Sequence, residues 1–176
     1  MRVMTRNRIV HLALIVSSVL FGIPGLVHAE SKDLPNFHVV APGIWRGAAP
    51  TQAGIQQLKA MGVDTIVDLR IAPKTDAKEH AYVSSLGMNW VNLPMGADPP
   101  TKKEVSTLMA ILRSAPQHKV YVHCQHGADR TGCMIGIYRE TQDGWTFQQT
   151  YAEMRKYGFK PFLIPLKNAV SSRARA

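Results

Sequence analysis

The stretch His123-Cys124-Gln125-His126-Gly127-Ala128-Asp129-Arg130-Thr131-Gly132 sets a cysteine and an arginine six positions apart. Upstream, Val120-Tyr121-Val122 reads as a short buried strand ending at His123. Downstream, Thr131 opens the helix-compatible run Cys133-Met134-Ile135-Gly136-Ile137-Tyr138. The pattern is strand, tight loop, helix. Such a loop can turn successive backbone N–H groups inward, and the helix start behind it adds partial positive charge. A dianionic phosphate is then held without any metal, which makes Gln125, His126, Gly127, Ala128, Asp129 and Arg130 the candidate phosphate-binding residues.

Arg130 offers a planar two-pronged donor to two phosphate oxygens, a geometry lysine cannot supply. The same donors would depress the pKa of Cys124 and leave a thiolate, the nucleophilic form, at neutral pH. Gly127 lets the loop turn where a side chain would clash. Thr131 can hydrogen-bond the sulfur and support its departure in a second, hydrolytic step, while His123 braces the loop through its backbone. A metal reading of His118, His123, Cys124 and His126 conflicts with strand geometry, because adjacent strand residues such as His123 and Cys124 point to opposite faces. No metal or cofactor is expected.

Working outward, Phe37 to Val40 and Ile44 to Arg46 read as a short antiparallel pair around Ala41-Pro42-Gly43. Thr51 caps a helix with Ile55, Leu58 and Met61 on its apolar face, stopped by Gly62. Val63 to Leu69 follows as a buried central strand. Thr75 to Leu86 is a helix ended by Gly87, and Met88 to Leu93 returns as a strand. Thr101-Lys102-Lys103-Glu104 is a capping box opening an amphipathic helix to Ser114, and Thr146-Phe147-Gln148-Gln149 opens another that buries Phe147, Tyr151 and Met154. Alternating strands and helices predict an α/β fold, a central, mostly parallel sheet flanked by helices.

Residues Met1 to Arg8 hold three arginines and no acid, and Ile9 to Val27 is nearly all apolar. Val27-His28-Ala29 fits a small-residue cleavage site, so residues 1–29 read as a secretory signal peptide and the chain as exported, periplasmic or secreted; an uncleaved membrane anchor is the rival. Residues 30–165 are then one catalytic domain and 166–176 a C-terminal tail, disordered at its end. The formal charge of +9 becomes +6 when Arg2, Arg6 and Arg8 leave. The basic residues are too scattered for a nucleic-acid groove, so no nucleic-acid partner is expected. Catalysis forbids a permanent bridge between the two cysteines, and Cys133 is expected to be buried as a small apolar residue.

The loop resembles the signature of the cysteine-dependent protein tyrosine phosphatase superfamily in its small bacterial dual-specificity branch: His-Cys, five residues, Arg, then Ser or Thr. Ile44-Trp45-Arg46-Gly47-Ala48-Ala49-Pro50, Gly54 to Gly62, and Val63-Asp64-Thr65-Ile66-Val67-Asp68-Leu69-Arg70 are similar to the opening of that branch. Gly144-Trp145-Thr146, Glu153-Met154 and Gly158-Phe159 are similar to its closing helix, so the resemblance spans Phe37 to Phe159. It implies a metal-independent phosphomonoester hydrolase of the tyrosine or dual-specificity type. It also implies a phosphocysteine intermediate and a substrate that is a phosphorylated protein or a small phosphomonoester.

Two aspartates compete as the general acid that protonates the leaving oxygen. Asp98 lies in a Pro-rich loop where the superfamily keeps a mobile aspartate, yet only 26 positions before Cys124. Asp129 lies inside the loop and resembles the Asp-Arg-Thr ending of bacterial lipid and triple-specificity phosphatases and of myotubularins; it is slightly favoured. Gln125 and Ala128 stand where inositide-cleaving relatives often carry lysines, which weakens, without removing, an activity on phosphoinositides or inositol phosphates. The remaining alternative is an idle module that binds phosphate without cleaving it, although such modules usually lose the cysteine, the arginine or the acid.

Overall fold

The computed structural model describes residues 31–71 and 73–172. The expected signal segment and the chain end with Arg173 and Arg175 lie outside the described residues. Eleven elements follow in order among the described residues: β1 (His38–Ala41), β2 (Ile44–Ala48), α1 (Gln52–Ala60), β3 (Thr65–Asp68), α2 (Pro73–Ser85), β4 (Asn89–Asn92), α3 (Lys102–Arg113), β5 (Val120–Cys124), α4 (Asp129–Thr141), α5 (Phe147–Lys156) and α6 (Ile164–Ser171).

The strands form one sheet in the order β1-β2-β5-β3-β4. β1 pairs antiparallel with β2, and every other pairing is parallel, so β5 sits at the centre between β2 and β3. The expected mostly parallel sheet flanked by helices is what the chain forms. The capping residues act as their chemistry requires: the Thr51 hydroxyl accepts from the Gly54 N–H, and Thr101–Glu104 and Thr146–Gln149 complete reciprocal capping boxes.

Alternation along β3 and β5 divides the core into two layers. Ile66 and Tyr121 face Ile55 and Leu58 of α1 and Val83 of α2. Val67, Val120 and Val122 face the opposite layer, with Leu108 and Leu112 of α3, Ile135 and Ile137 of α4, and Leu166 and Val170 of α6. The strand order places the carboxyl end of β5 in mid-sheet, where open α/β sheets put their ligands.

Two sequence expectations need correction. α4 begins at Asp129, two residues before Thr131, with Ala128 as an N-cap that makes no side-chain capping bond; a start without a polar cap leaves no local signal. The stretch after residue 165, expected as a tail, is the body of α6. Pro165 lies in its first turn, where the ring is tolerated, and Leu166 and Val170 are buried. No helix among the described residues is long and apolar enough to cross a membrane.

Candidate active site

The loop from Gln125 to Ala128 links the end of β5 to the first turn of α4. Gly127 adopts φ +66°, and a Cβ there would lie 2.3 Å from the carbonyl carbon of Gly47. Both the turn and the close packing on β2 therefore demand glycine. Cys124 is buried beneath the loop. Burial alone would raise its pKa, but the Thr131 hydroxyl, the Thr131 N–H, the Arg130 charge and the His126 N–H outweigh it and hold the thiol below its ordinary value. The Thr131 hydroxyl is buried beside the Cys124 sulfur.

Arg130 lies in the first turn of α4. Its Nη1 reaches the Leu69 carbonyl and the Met95 carbonyl, both at 3.4 Å. These long bonds aim the guanidinium from the end of β3 and from the loop after β4. Gln125 and His126 are exposed on the loop, while Gly127 and Ala128 are buried.

The two aspartates occupy different settings. Asp129 accepts the Lys160 N–H at 2.9 Å through Oδ1, and its Oδ2 lies 3.9 Å from the Lys160 ammonium. Asp98 is exposed on the loop between β4 and α3, three residues beyond the Met95 carbonyl that Arg130 contacts.

His123 points to the other layer and is fully buried. Its Nδ1 lies 3.4 Å from the Cys124 carbonyl, and its Nε2 is 2.9 Å from Glu79 Oε1. Burial would lower the His123 pKa, but the hydrogen bond and charge of Glu79 outweigh it and raise it. Glu79 is in turn held below the usual carboxylate range: burial opposes this, and the His123 bond, the His123 charge and Arg70 prevail. Glu79 also accepts from Trp90 Nε1 at 3.0 Å and from Arg70 Nη2 at 2.7 Å, and Arg70 grips Asp68 at 2.6 Å. Asp68, Glu79 and His123 bring three donor atoms within 4.8 Å, and the Arg70 guanidinium lies among them as their countercharge.

Sequence reasoning missed this network and also missed Arg46. The Arg46 side chain is buried and donates to the Gly127 carbonyl at 2.7 Å. Burial lowers its pKa to about 10, so it remains cationic at neutral pH. Cys133 is buried as expected, and its thiol donates toward the Leu166 carbonyl of α6, away from the catalytic loop.

Comparison with known proteins agrees with this geometry. Residues 28–171 match the family model for the DSP-PTPase phosphatase fused to NAD+ kinase. The chain is 28% identical to the dual specificity protein phosphatase TpbA of Pseudomonas aeruginosa, over 89% of this chain and 77% of that protein. It is 26% identical to the inositol diphosphatase DSP3 of Arabidopsis thaliana, over 69% of this chain and 61% of that one. The crystal structure of P. aeruginosa TpbA superposes with a TM-score of 0.66 at 22% identity, covering 84% of this chain and 95% of that one. A cysteine under a loop of inward amides, an arginine six residues on, and a matching family model over most of the chain together establish that this protein belongs to the DSP-PTPase family and is a cysteine-dependent phosphatase of the small dual-specificity branch.

Proposed function

We propose that this phosphatase acts on phosphomonoesters carried by an aromatic arm, of which phosphotyrosine is the model. The observation that carries the reading is the cavity of about 340 Å³ beside Arg130. It is lined by Met95, Gly96, Asp129, Lys160, Ile71 and Phe162 among others. Ile71 and Phe162 are exposed large apolar residues, 63% and 71% accessible, and they can cover an aromatic ring next to the phosphate. The ammonium that shares this wall, Lys160, faces Asp129, so little free positive charge remains for further phosphates. The relative TpbA is named a dual specificity protein phosphatase. A second reading, cleavage of inositol phosphates, draws on the relatives named inositol diphosphatases, but the wall is poorly charged for such polyanions.

In the proposed mechanism the Cys124 thiolate attacks phosphorus in line, the S–P bond forms, and the bond to the leaving oxygen breaks. Inward amides and Arg130 hold the equatorial oxygens, whose charge grows in the transition state. Asp98 gives its proton to the departing oxygen. Asp129 is the less suitable donor, because its carboxylate already accepts the Lys160 N–H; it anchors the wall that carries Phe162. Water then attacks the phosphocysteine and the sulfur leaves as a thiolate bonded by Thr131. Export from the cytoplasm is part of the proposal, supported by the arginines and apolar run of residues 1–29.

The test is kcat/KM on a phosphotyrosyl peptide, a phosphoseryl peptide and an inositol polyphosphate, without added metal and with EDTA present. A preference of at least about tenfold for the aryl ester supports the reading; equal or better turnover of the inositol polyphosphate overturns it. For the acid, Asp98→Asn is compared with Asp129→Asn on phosphotyrosine and on an aryl phosphate with a good leaving group. Selective loss on phosphotyrosine identifies the proton donor, and that pattern in Asp129→Asn rather than Asp98→Asn reverses the assignment.

A further inference from the structure

Three consecutive carbonyls of the catalytic loop are each met from behind by a donor from one short segment, residues 36–49. The Gln125 carbonyl accepts the Ala49 N–H at 3.4 Å. The His126 carbonyl accepts Asn36 Nδ2 at 3.0 Å. The Gly127 carbonyl accepts Arg46 Nη2 at 2.7 Å. A trans peptide plane points its C=O and the following N–H in opposite directions, and none of the described peptides is cis. Fixing those three carbonyls outward therefore fixes the N–H groups of His126, Gly127 and Ala128 toward the phosphate and the sulfur. The His126 N–H does serve the Cys124 sulfur.

Asn36 is the one non-glycine residue with positive φ among the described residues, at +51°. That conformation is costly for most side chains and tolerated by asparagine. Its amide is held in place from several sides. Nδ2 also donates to the Tyr157 carbonyl at 3.1 Å, and Oδ1 lies 2.8 Å from His38 Nε2. The His38 ring stacks on Tyr157 with centroids 3.7 Å apart, and the Arg46 guanidinium lies 5.0 Å from the centre of the same ring. Tyr157 thus organises both side-chain donors, through its carbonyl, its stacking on His38 and its ring face, and each donor lies more than 80 residues away in sequence from the carbonyl it grips.

We infer that Asn36 and Arg46 are positioning residues for the phosphate reaction: they clamp the His126 and Gly127 carbonyls outward so that the loop amides face the anion before it arrives. The inference rests on the cysteine-phosphatase reading and assigns a role in it to residues outside the signature loop. Preorganised amides need not reorient as charge develops, so the clamp acts on transition-state stabilisation and on the thiolate together.

Asn36→Gly is the informative variant, because glycine keeps the positive φ while the donor is lost. Expected results are a drop in kcat/KM of roughly tenfold on an aryl phosphate, a similar loss of vanadate affinity, and a Cys124 alkylation profile with iodoacetamide displaced to higher pH, the loss of one buried hydrogen bond setting the scale. A lowered melting temperature with unchanged kcat/KM, vanadate affinity and alkylation profile would reduce Asn36 to a structural residue and overturn the inference. If the variant does not fold, the wild-type vanadate complex decides. Asn36 and Arg46 still bonded to the His126 and Gly127 carbonyls, with the next three amides on the anion, supports the clamp. Either side chain released from its carbonyl in that complex overturns it. Failure of wild-type protein to bind vanadate would count against the phosphatase reading itself, which separates the two.

Discussion

Cys124 and His123 are neighbours at the end of β5, yet they look into opposite layers and live under opposite rules. On the His123 side, Asp68, Arg70, Glu79, His123 and Trp90 form a buried network in which each charge has a partner at hydrogen-bond distance. On the Cys124 side the donors outnumber the acceptors: inward amides, the Thr131 hydroxyl and Arg130 converge on one sulfur, and among the described residues the guanidinium is held by two long carbonyl contacts. A network closed on itself stabilises the fold. A surplus of donors is completed by an anion, and that is what makes a site.

The largest expected effects test the reactive side. Cys124→Ser should lower turnover of an aryl phosphate by at least about 10⁴-fold, with an unchanged far-UV spectrum. Arg130→Lys should cost about 10²- to 10³-fold in kcat, because a single ammonium cannot make the forked contact. Retention of activity in either variant, measured in steady-state assays, would erase the contrast between the two sides.

The His123 side should respond in stability. Glu79→Gln should lower unfolding free energy by about 3 kcal/mol, since it breaks a buried pair and leaves His123 and Arg70 undercompensated. The pH dependence follows from the directions of the shifts. The contribution of Glu79, whose folded pKa is depressed, is present above its unfolded value of about 4.3 and is lost as pH falls through the folded value. The contribution of His123, whose folded pKa is raised, is complete below about 6.5 and is lost as pH rises through the folded value. Denaturant unfolding across pH should show a plateau between those limits that Glu79→Gln flattens. A thousandfold loss of kcat in well-folded Glu79→Gln would instead place catalysis on both sides of the strand.

Smaller effects sharpen the comparison. Thr131→Ala should slow turnover by about tenfold and move the alkylation profile of Cys124 to higher pH, since one hydrogen bond to the thiolate is gone. Phe162→Ala should raise KM for a phosphotyrosyl peptide about threefold to tenfold, with inorganic vanadate affinity unchanged, because only the ring contact is lost.

The reactive side was legible in the sequence because its parts are contiguous: strand, cysteine, glycine turn, arginine and helix lie within about one element of each other. The sheet was legible for a related reason, since the short buried runs of β3 and β5 and the threonine caps are local signals. What supports the loop from behind was not legible. Asn36, Arg46 and Glu79 lie 44 to 90 residues from the residues of the loop region that they hold, and such long-range bonds leave no spacing pattern. α6 escaped because it is short, opens with Pro165 in its first turn and owes its order to Leu166 and Val170 packing on α4. The two aspartates were an ambiguity of the same kind: whether a carboxylate is already engaged depends on Lys160, a partner 31 residues away.

In this phosphatase the sulfur of Cys124 carries the phosphoryl group between the two half-reactions, with no metal taking part. A rapid denaturing quench during turnover of an aryl phosphate in EDTA, followed by peptide mass analysis, tests it directly. A phosphoryl adduct on Cys124 should form within the first turnover and be absent from Cys124→Ser. Undiminished hydrolysis by the wild type with no adduct at that residue, or hydrolysis abolished by EDTA alone, would contradict it.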